Sequence, residues 1–399
     1  MASSTLPRTA LLGLGRMGLP MAARLLAAGA PLTIWNRDVE RGADLVTRGA
    51  RRARTPSDAA YEADVVILML ADPRAVDAVL GAPDGVLKTL RRGALLIDCS
   101  TIGPAMARAS AARCADRGAA YVDAPVLGSV PAAEQGSLTI FAGGAAADVE
   151  RARDVLAHLG TTIVPTGDVG SASALKLVMN LLVAGQTELM AEAFLLAARA
   201  GLPGSLVRDA LAGSVLASPF VAYKAPQLLD RQFTPLFTTA LLLKDLDLAL
   251  ELARTHTLAL PGLRAIRDAY GASFSAGRAD DDFSAVIDSL DAPPREEEDQ
   301  GSVSYEVTAR VDDALAFDYE RFMIESHIPE IVQTGCFLHG RLQQGGEGQY
   351  RTTFHAVSQE EVNRYLSEFA PAMRERTNAR FPTGLSLSRR VWTERAQWP

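Results

Sequence analysis

The 399-residue sequence predicts three folds in series: an α/β doubly wound parallel sheet, an all-helical domain, and a small α+β domain. Three observations carry that prediction. From Thr9 to about Val164, short β-rich apolar runs alternate with helical stretches, as in a parallel sheet covered by helices on both faces. From Gly170 to Leu290, long helical patterns take over. Beyond Val303 the apolar period becomes two, the mark of a half-buried strand. At about 150 residues per domain, the length agrees with two or three domains.

In chain order, the first region offers strands Thr9–Leu12, Leu32–Trp35, Val65–Leu70, Ala94–Cys99, Tyr121–Ala124, Leu138–Ala142 and Thr162–Val164, most with Gly, Pro or Asp near their ends. The helical region breaks at Gly201-Leu202-Pro203, Ser218-Pro219 and Pro261-Gly262, where Pro opens a helix and Gly closes one. One of its helices spans Val215–Leu229. The stretch from Ala292 to Ser302 reads as a linker, stiffened by two prolines and solvated by four acids. Next, Val303, Tyr305, Val307, Ala309 and Val311 share one strand face. A helix ending near His327-Ile328-Pro329 follows, then strands Cys336–Leu342 and Tyr350–Val357 around a Gly-rich hairpin turn. Ser358 and Glu361 form a capping box for a second helix, and Leu385–Trp392 closes a β-α-β-β-α-β order, which is ferredoxin-like. The expected domains are therefore 1–166, 167–291, a linker 292–302, and 303–399.

Composition excludes several function classes. With 48% hydrophobic and 22% charged residues the chain has apolar surface for several cores. A formal charge of −7 gives no broad basic field for nucleic acid or anionic lipid. Three scattered cysteines, Cys99, Cys114 and Cys336, fit reduced packing thiols in a cytoplasmic protein. The N-terminus carries no secretory pattern. The longest apolar run, about Leu177 to Ala184, is interrupted by Asn180 and falls short of a membrane span.

Two motifs carry chemistry. Gly13-Leu14-Gly15-Arg16-Met17-Gly18 follows the first strand and opens a helix, the Rossmann context in which pyrophosphate approaches a helix N-terminus. At the end of the second strand, Asn36-Arg37 replaces the acid expected by an NAD enzyme. The Arg37 fork suits a 2′-phosphate and favours NADP, with NAD as the alternative. Lys176 and Asn180 lie four residues apart on a helix that is otherwise apolar. A lysine in such surroundings asks for a cavity or ligand, and partial desolvation lowers its pKa into the range of general acid–base work.

With these residues in order, the chain from about Leu11 to Leu290 resembles the β-hydroxyacid dehydrogenases, a family that includes 3-hydroxyisobutyrate dehydrogenases and semialdehyde reductases. The resemblance extends through Leu19-Pro20-Met21-Ala22, Asp98-Cys99-Ser100-Thr101, Asp123-Ala124-Pro125-Val126-Leu127-Gly128-Ser129 and Gly136-Ser137-Leu138. It continues in Gly170 with Lys176 and Asn180, in Leu243-Lys244-Asp245-Leu246-Asp247-Leu248-Ala249, and in Asp282-Phe283-Ser284-Ala285-Val286. It implies catalysis by Lys176 with Asn180. Cofactor contacts would come from Gly13, Gly15, Arg16, Met17, Gly18, Asn36, Arg37, Leu70, Thr101, Lys244 and Asp245. A substrate carboxylate would face Gly128 and Ser129 beside Thr101, Lys176 and Asn180, and no metal is implied. Leu127, Ser129 and Met179 depart from the residues many members carry, which leaves the reaction type standing and the substrate open. The alternatives are an imine reductase on the same scaffold, whose members typically carry Asp or Tyr in place of Lys176, and a non-catalytic nucleotide-binding module.

Residues 303 to about 395 resemble an uncharacterised small bacterial domain family through His327-Ile328-Pro329-Glu330, Thr334-Gly335-Cys336-Phe337, Tyr365, Phe369-Ala370-Pro371-Ala372-Met373-Arg374 and Arg380-Phe381. A metal site from His327, His339, His355 and Cys336 is conceivable, but the spacing lacks the close pairs of structural zinc sites. An interaction or oligomerisation role is favoured. The expectation is an NADPH-dependent oxidoreductase, homodimeric or homotetrameric, acting on a small carboxylated aldehyde, ketone or hydroxy acid.

Overall fold

A computed structural model describes residues 6–291, 303–346, 348–356 and 358–393. The expected linker 292–302 and the strand end at Val357 lie outside the described residues. The chain divides into two compact units, 1–291 and 292–399.

The first unit is built on nine strands: β1 Thr9–Leu12, β2 Leu32–Trp35, β3 Arg51–Arg52, β4 Val65–Leu68, β5 Leu95–Asp98, β6 Ala120–Asp123, β7 Val126–Leu127, β8 Leu138–Gly143 and β9 Gly160–Gly167. The order β3-β2-β1-β4-β5-β6 is parallel throughout, and its direction of progress reverses between β1 and β4, where open α/β sheets place ligands. Beyond β6, β8 runs antiparallel to β6 and β7, and β9 pairs parallel with β8. Leu11, Ile67 and Ile97 pack into one core and Leu12, Leu68 and Leu96 into another. Burial on both faces explains why these strands read as continuous apolar runs.

Two elements escaped the pattern. β3 and β7 are only two residues each, and β3 consists of arginines, so neither forms an apolar run. β9 is longer than expected because it forms an edge, where half of its residues are exposed and Pro165 is tolerated.

The helical part is dominated by a 29-residue helix, Ser171–Arg199. Leu177, Ala184, Ala191 and Phe194 on it pack with Leu242, Leu246, Tyr270 and Phe283. This helix corrects the reading of the apolar run, because by length and composition it could cross a bilayer. Gly201 closes it in a left-handed conformation, φ +77°. The next helices are Gly204–Ala212, Pro219–Leu229, Thr239–Thr255 and Pro261–Ser273. The helix expected from Val215 begins at Pro219 instead, because Ser218 caps it by accepting from the Val221 N–H at 3.1 Å.

In the second unit, β10 Val303–Val311, β11 His339–Gln344, β12 Gln349–Ala356 and β13 Leu385–Thr393 form an antiparallel sheet in the order β11-β12-β10-β13. This is the ferredoxin-like arrangement. Tyr305, Phe354 and Tyr365 centre one core cluster. The first helix does not end at His327 but runs on to Gln333. A wide turn over Met323–His327 precedes Pro329 and accommodates the missing N–H. Ser358 accepts from the Glu361 N–H at 3.3 Å, while the Glu361 carboxylate bonds to Arg364. Among the described residues, no group of three or more His, Cys, Asp or Glu is placed to hold a metal. His339 stacks on His355 at 4.7 Å, and His355 is registered with Ser304 on the sheet face opposite Tyr305.

Candidate active site

The glycine turn between β1 and the helix Gly18–Ala27 shows three different demands. Gly13 has φ +101°, and a Cβ there would meet the Met69 carbonyl oxygen at 2.3 Å. A Cβ on Gly18 would meet the Gly13 oxygen at 1.9 Å, so strand and helix touch backbone to backbone. A Cβ on Gly15 would meet nothing within 4 Å. Two glycines set the fold of the turn and the third leaves a cradle open to a pyrophosphate, so the residues fit a dinucleotide. Met17, half-buried, packs against the core under the turn.

Neighbouring loops are stitched to this turn. Asn36 Oδ1 accepts from the Leu14 N–H at 2.9 Å and its Nδ2 donates to the Asp38 carbonyl at 3.0 Å. Both ends of the amide are thus engaged within the protein, and Asn36 shapes the turn. Arg37 is exposed, with no hydrogen bond or ion pair to any described residue. Arg16 crosses to the helical part, donating to the Pro235 carbonyl at 2.8 Å. The Leu70 N–H donates to Ser100 Oγ at 2.9 Å. Asp98 accepts from the Ser100 N–H at 2.9 Å and from the Tyr121 hydroxyl at 3.3 Å, and burial pushes its carboxyl up to about 6. The turn ending in Thr101 is therefore fixed from beneath.

Asp123, at the end of β6, was quoted in the sequence only as part of a motif, and its task is visible only in three dimensions. It accepts from the Gly170 N–H at 2.9 Å and the Ser173 N–H at 2.8 Å, capping the long helix with one carboxylate. That anchors the helix at the C-terminal edge of the sheet, beside the loops that carry Leu70 and Thr101.

Lys176 sits in the second turn of the helix and is 9% exposed. Burial draws its amine down to about 8; Asp245 opposes the shift and Lys244 adds to it. Asn180, one turn on, donates to Asp245 Oδ2 at 2.5 Å. Lys244 Nζ lies 2.6 Å from Asp245 Oδ1 and donates to the Thr101 carbonyl at 2.7 Å. Thr101, Lys244, Asp245 and Asn180 thus form one polar chain beside Lys176, tying the sheet edge to two helices. One N–H of the Asn180 amide, expected at the substrate, is taken by Asp245.

Gly128 and Ser129 follow β7. Gly128 has φ +137°, and Ser129 stands just before the helix Val130–Gln135 without using its side chain as a cap. Cys99 and Cys114 are buried, and burial pushes the Cys114 thiol up to about 12, so they serve packing.

A parallel sheet reversing at a glycine cradle, with a buried amine anchored at the same edge, defines a dinucleotide-dependent oxidoreductase. Residues 8–167 match the NAD binding domain of 6-phosphogluconate dehydrogenase, and residues 170–290 match the NAD-binding domain of NADP-dependent 3-hydroxyisobutyrate dehydrogenase. Residues 302–394 match a domain of unknown function (DUF4286). The chain is 32% identical to glyoxylate/succinic semialdehyde reductase 2 of Arabidopsis thaliana, covering 70% of this chain and 78% of that protein. It is 33% identical to 3-sulfolactaldehyde reductase of Escherichia coli, covering 70% and 95%. A 3-hydroxyisobutyrate dehydrogenase of Mycobacterium tuberculosis, solved with L-serine, superposes with a TM-score of 0.66 at 34% identity over 72% of this chain and 100% of that one. The chain belongs to the β-hydroxyacid dehydrogenase family of NAD(P)-dependent oxidoreductases, with a further C-terminal domain.

Proposed function

We propose that the chain interconverts a small carboxylated aldehyde or ketone and its hydroxy acid with NADP(H), and works in the direction of reduction. The observation that carries this reading is the buried Lys176 amine, poised near neutral pH beside Asp245 and Asn180. When bound, the cofactor supplies hydride to the carbonyl carbon. Lys176 Nζ gives a proton to the carbonyl oxygen as the C=O π bond becomes an O–H bond, and in oxidation it takes that proton back. Asp245 and Lys244 hold Asn180 and the Thr101 backbone in place around the reacting group. The Gly128 N–H and the Ser129 hydroxyl are donors suited to the substrate carboxylate. Support for a small acidic substrate comes from the relatives, named for semialdehydes and for 3-sulfolactaldehyde. The test is NADPH consumption with a panel of short semialdehydes, 2-oxo acids and cyclic imines. Turnover of the carboxylated aldehydes is expected, and turnover of the imines alone would overturn the reading.

The NADP preference rests on Arg37, exposed and unpartnered at the end of β2. A charge-assisted pair with a 2′-phosphate is worth about 1.5–3 kcal/mol, so Arg37→Ala should raise the KM for NADPH about 10–100-fold and leave that for NADH within about twofold. Equal effects on both cofactors would remove Arg37 from the phosphate.

Two copies are proposed to pair through the long helix, where Val178, Leu182, Leu189 and Leu196 are 49%, 51%, 62% and 73% exposed and recur at helical spacing. Leu182→Asp combined with Leu189→Asp should halve the mass measured by light scattering. A wild-type monomer would dismiss the pairing. Three buried thiols without disulfides support a reducing, cytoplasmic setting.

A further inference from the structure

The C-terminal domain holds a partly open cavity of about 30 Å³ between its sheet and its helices. Space of that size takes about two water-sized groups. Its wall is mixed: Val307, Ile331 and Phe354 are apolar, while Tyr305, Tyr319 and Tyr365 add rings with hydroxyl groups. His327 also lines it, with an Nδ1 shielded from solvent and without a hydrogen-bond partner. The imidazole is held in place by stacking on Phe322, centroid to centroid 5.2 Å. Burial keeps it neutral, pushed down to about 4, with Glu330, Arg376 and Arg389 as the charged groups that bear on it.

Two arginines line the same cavity, Arg374 from the helix Ala370–Arg380 and Arg389 from β13. Both are exposed, and neither has a carboxylate partner among the described residues. The neighbouring carboxylate is taken, since Glu330 pairs with Arg376 at 2.8 Å. Both arginines also bear electrostatically on Tyr365, which places their positive charge around one opening. An apolar, aromatic interior rejects a bare charge, because an unpaired ion there carries a heavy desolvation cost. A cationic mouth invites one. Together they select a molecule with an anionic head and a short uncharged tail.

We propose that this domain binds a small monocarboxylate, its carboxylate held by Arg374 and Arg389 and its tail of about two to three heavy atoms reaching the His327 imidazole. A hydroxyl on that tail would satisfy the orphaned Nδ1, so a short hydroxy acid should bind more tightly than its deoxy counterpart. Phosphate, charged on every side, suits the mouth but not the interior. All of its lining residues belong to the second unit, and the proposal stands whether or not the oxidoreductase reading does.

The experiment uses the full chain with ring-¹⁵N histidine, titrated with propanoate, 3-hydroxypropanoate and inorganic phosphate. The His327 resonance is assigned by its loss in His327→Asn. Saturable movement of that resonance is expected with both carboxylates, at lower concentration for 3-hydroxypropanoate, and not with phosphate. In Arg374→Gln/Arg389→Gln, two exposed substitutions whose folding is checked by an unchanged Tm, the apparent Kd should rise at least tenfold. An unmoved His327 resonance, an equal response to phosphate, or an unchanged Kd in the double variant would each overturn the proposal.

Discussion

Lys176→Ala is expected to lower kcat for reduction by about 10²–10⁴-fold, the range supplied by a positioned proton donor, while the Kd for NADPH stays within about twofold. Among the described residues, no other buried amine accompanies Lys176 and Lys244 at this site. Asp245 is bonded to Asn180, and Lys244 is held against Asp245 and the Thr101 carbonyl. The pH dependence follows from the amine having been drawn down to about 8. Reduction needs the protonated form, which is full below that value, so kcat/KM for reduction should fall about tenfold per pH unit above 8. Oxidation needs the neutral form and should rise toward pH 8 and level off. The alanine variant should lose both limbs. Full activity in that variant, or survival of the limb near pH 8, would remove Lys176 from the proton's path.

Asp282→Ala should destabilise the fold by about 3–5 kcal/mol in the urea-derived free energy. Asp282 and Lys224 are both 0% exposed and form an ion pair at 2.7 Å. Lys224 also donates to Gln227 at 2.7 Å and lies 3.9 Å from the Phe283 ring centroid. Burial pulls the amine's pKa down and Asp282 opposes it. Without Asp282 a fully buried cation loses its counter-charge. The same carboxylate accepts from the N–H groups of Leu236, Phe237 and Ser284 and from Ser284 Oγ. Its loss therefore also frees the loop whose Pro235 carbonyl receives Arg16, and NADPH binding should weaken with stability. Lys224→Met should cost less, because Asp282 keeps four donors and the methionine fills the space. A loss under about 1 kcal/mol for Asp282→Ala would mean that the pair is not desolvated as the fold places it.

What the sequence disclosed and what it withheld follow from range. The glycine turn, Lys176 with Asn180, and the breaks at Gly201, Ser218 and Pro261 are local signals, each contained within a few residues. The partners were not local. Asp123 receives the Gly170 N–H from 47 residues away, Asn180 meets Asp245 across 65 residues, and Lys224 finds Asp282 across 58. For Asp245 and Asp282, nothing in a window of sequence distinguishes the carboxylate from a surface acid. Asp282 is the last of three consecutive aspartates and reads as part of a solvated acidic run, whereas Asp123 stands between Val122 and Ala124. Asn36 illustrates the opposite limit: its place at the end of β2 was legible, but its engagement with Leu14 was not.

The capped helix has a mechanical consequence. At about 1.5 Å per residue it is a rod of about 43 Å, with its pivot at Asp123 and Lys176 only about 9 Å away. A tilt of about 5° displaces the amine by less than about 1 Å but swings the far tip near Arg199 by about 4 Å. Strain arriving at the tip is thus geared down before it reaches the chemistry.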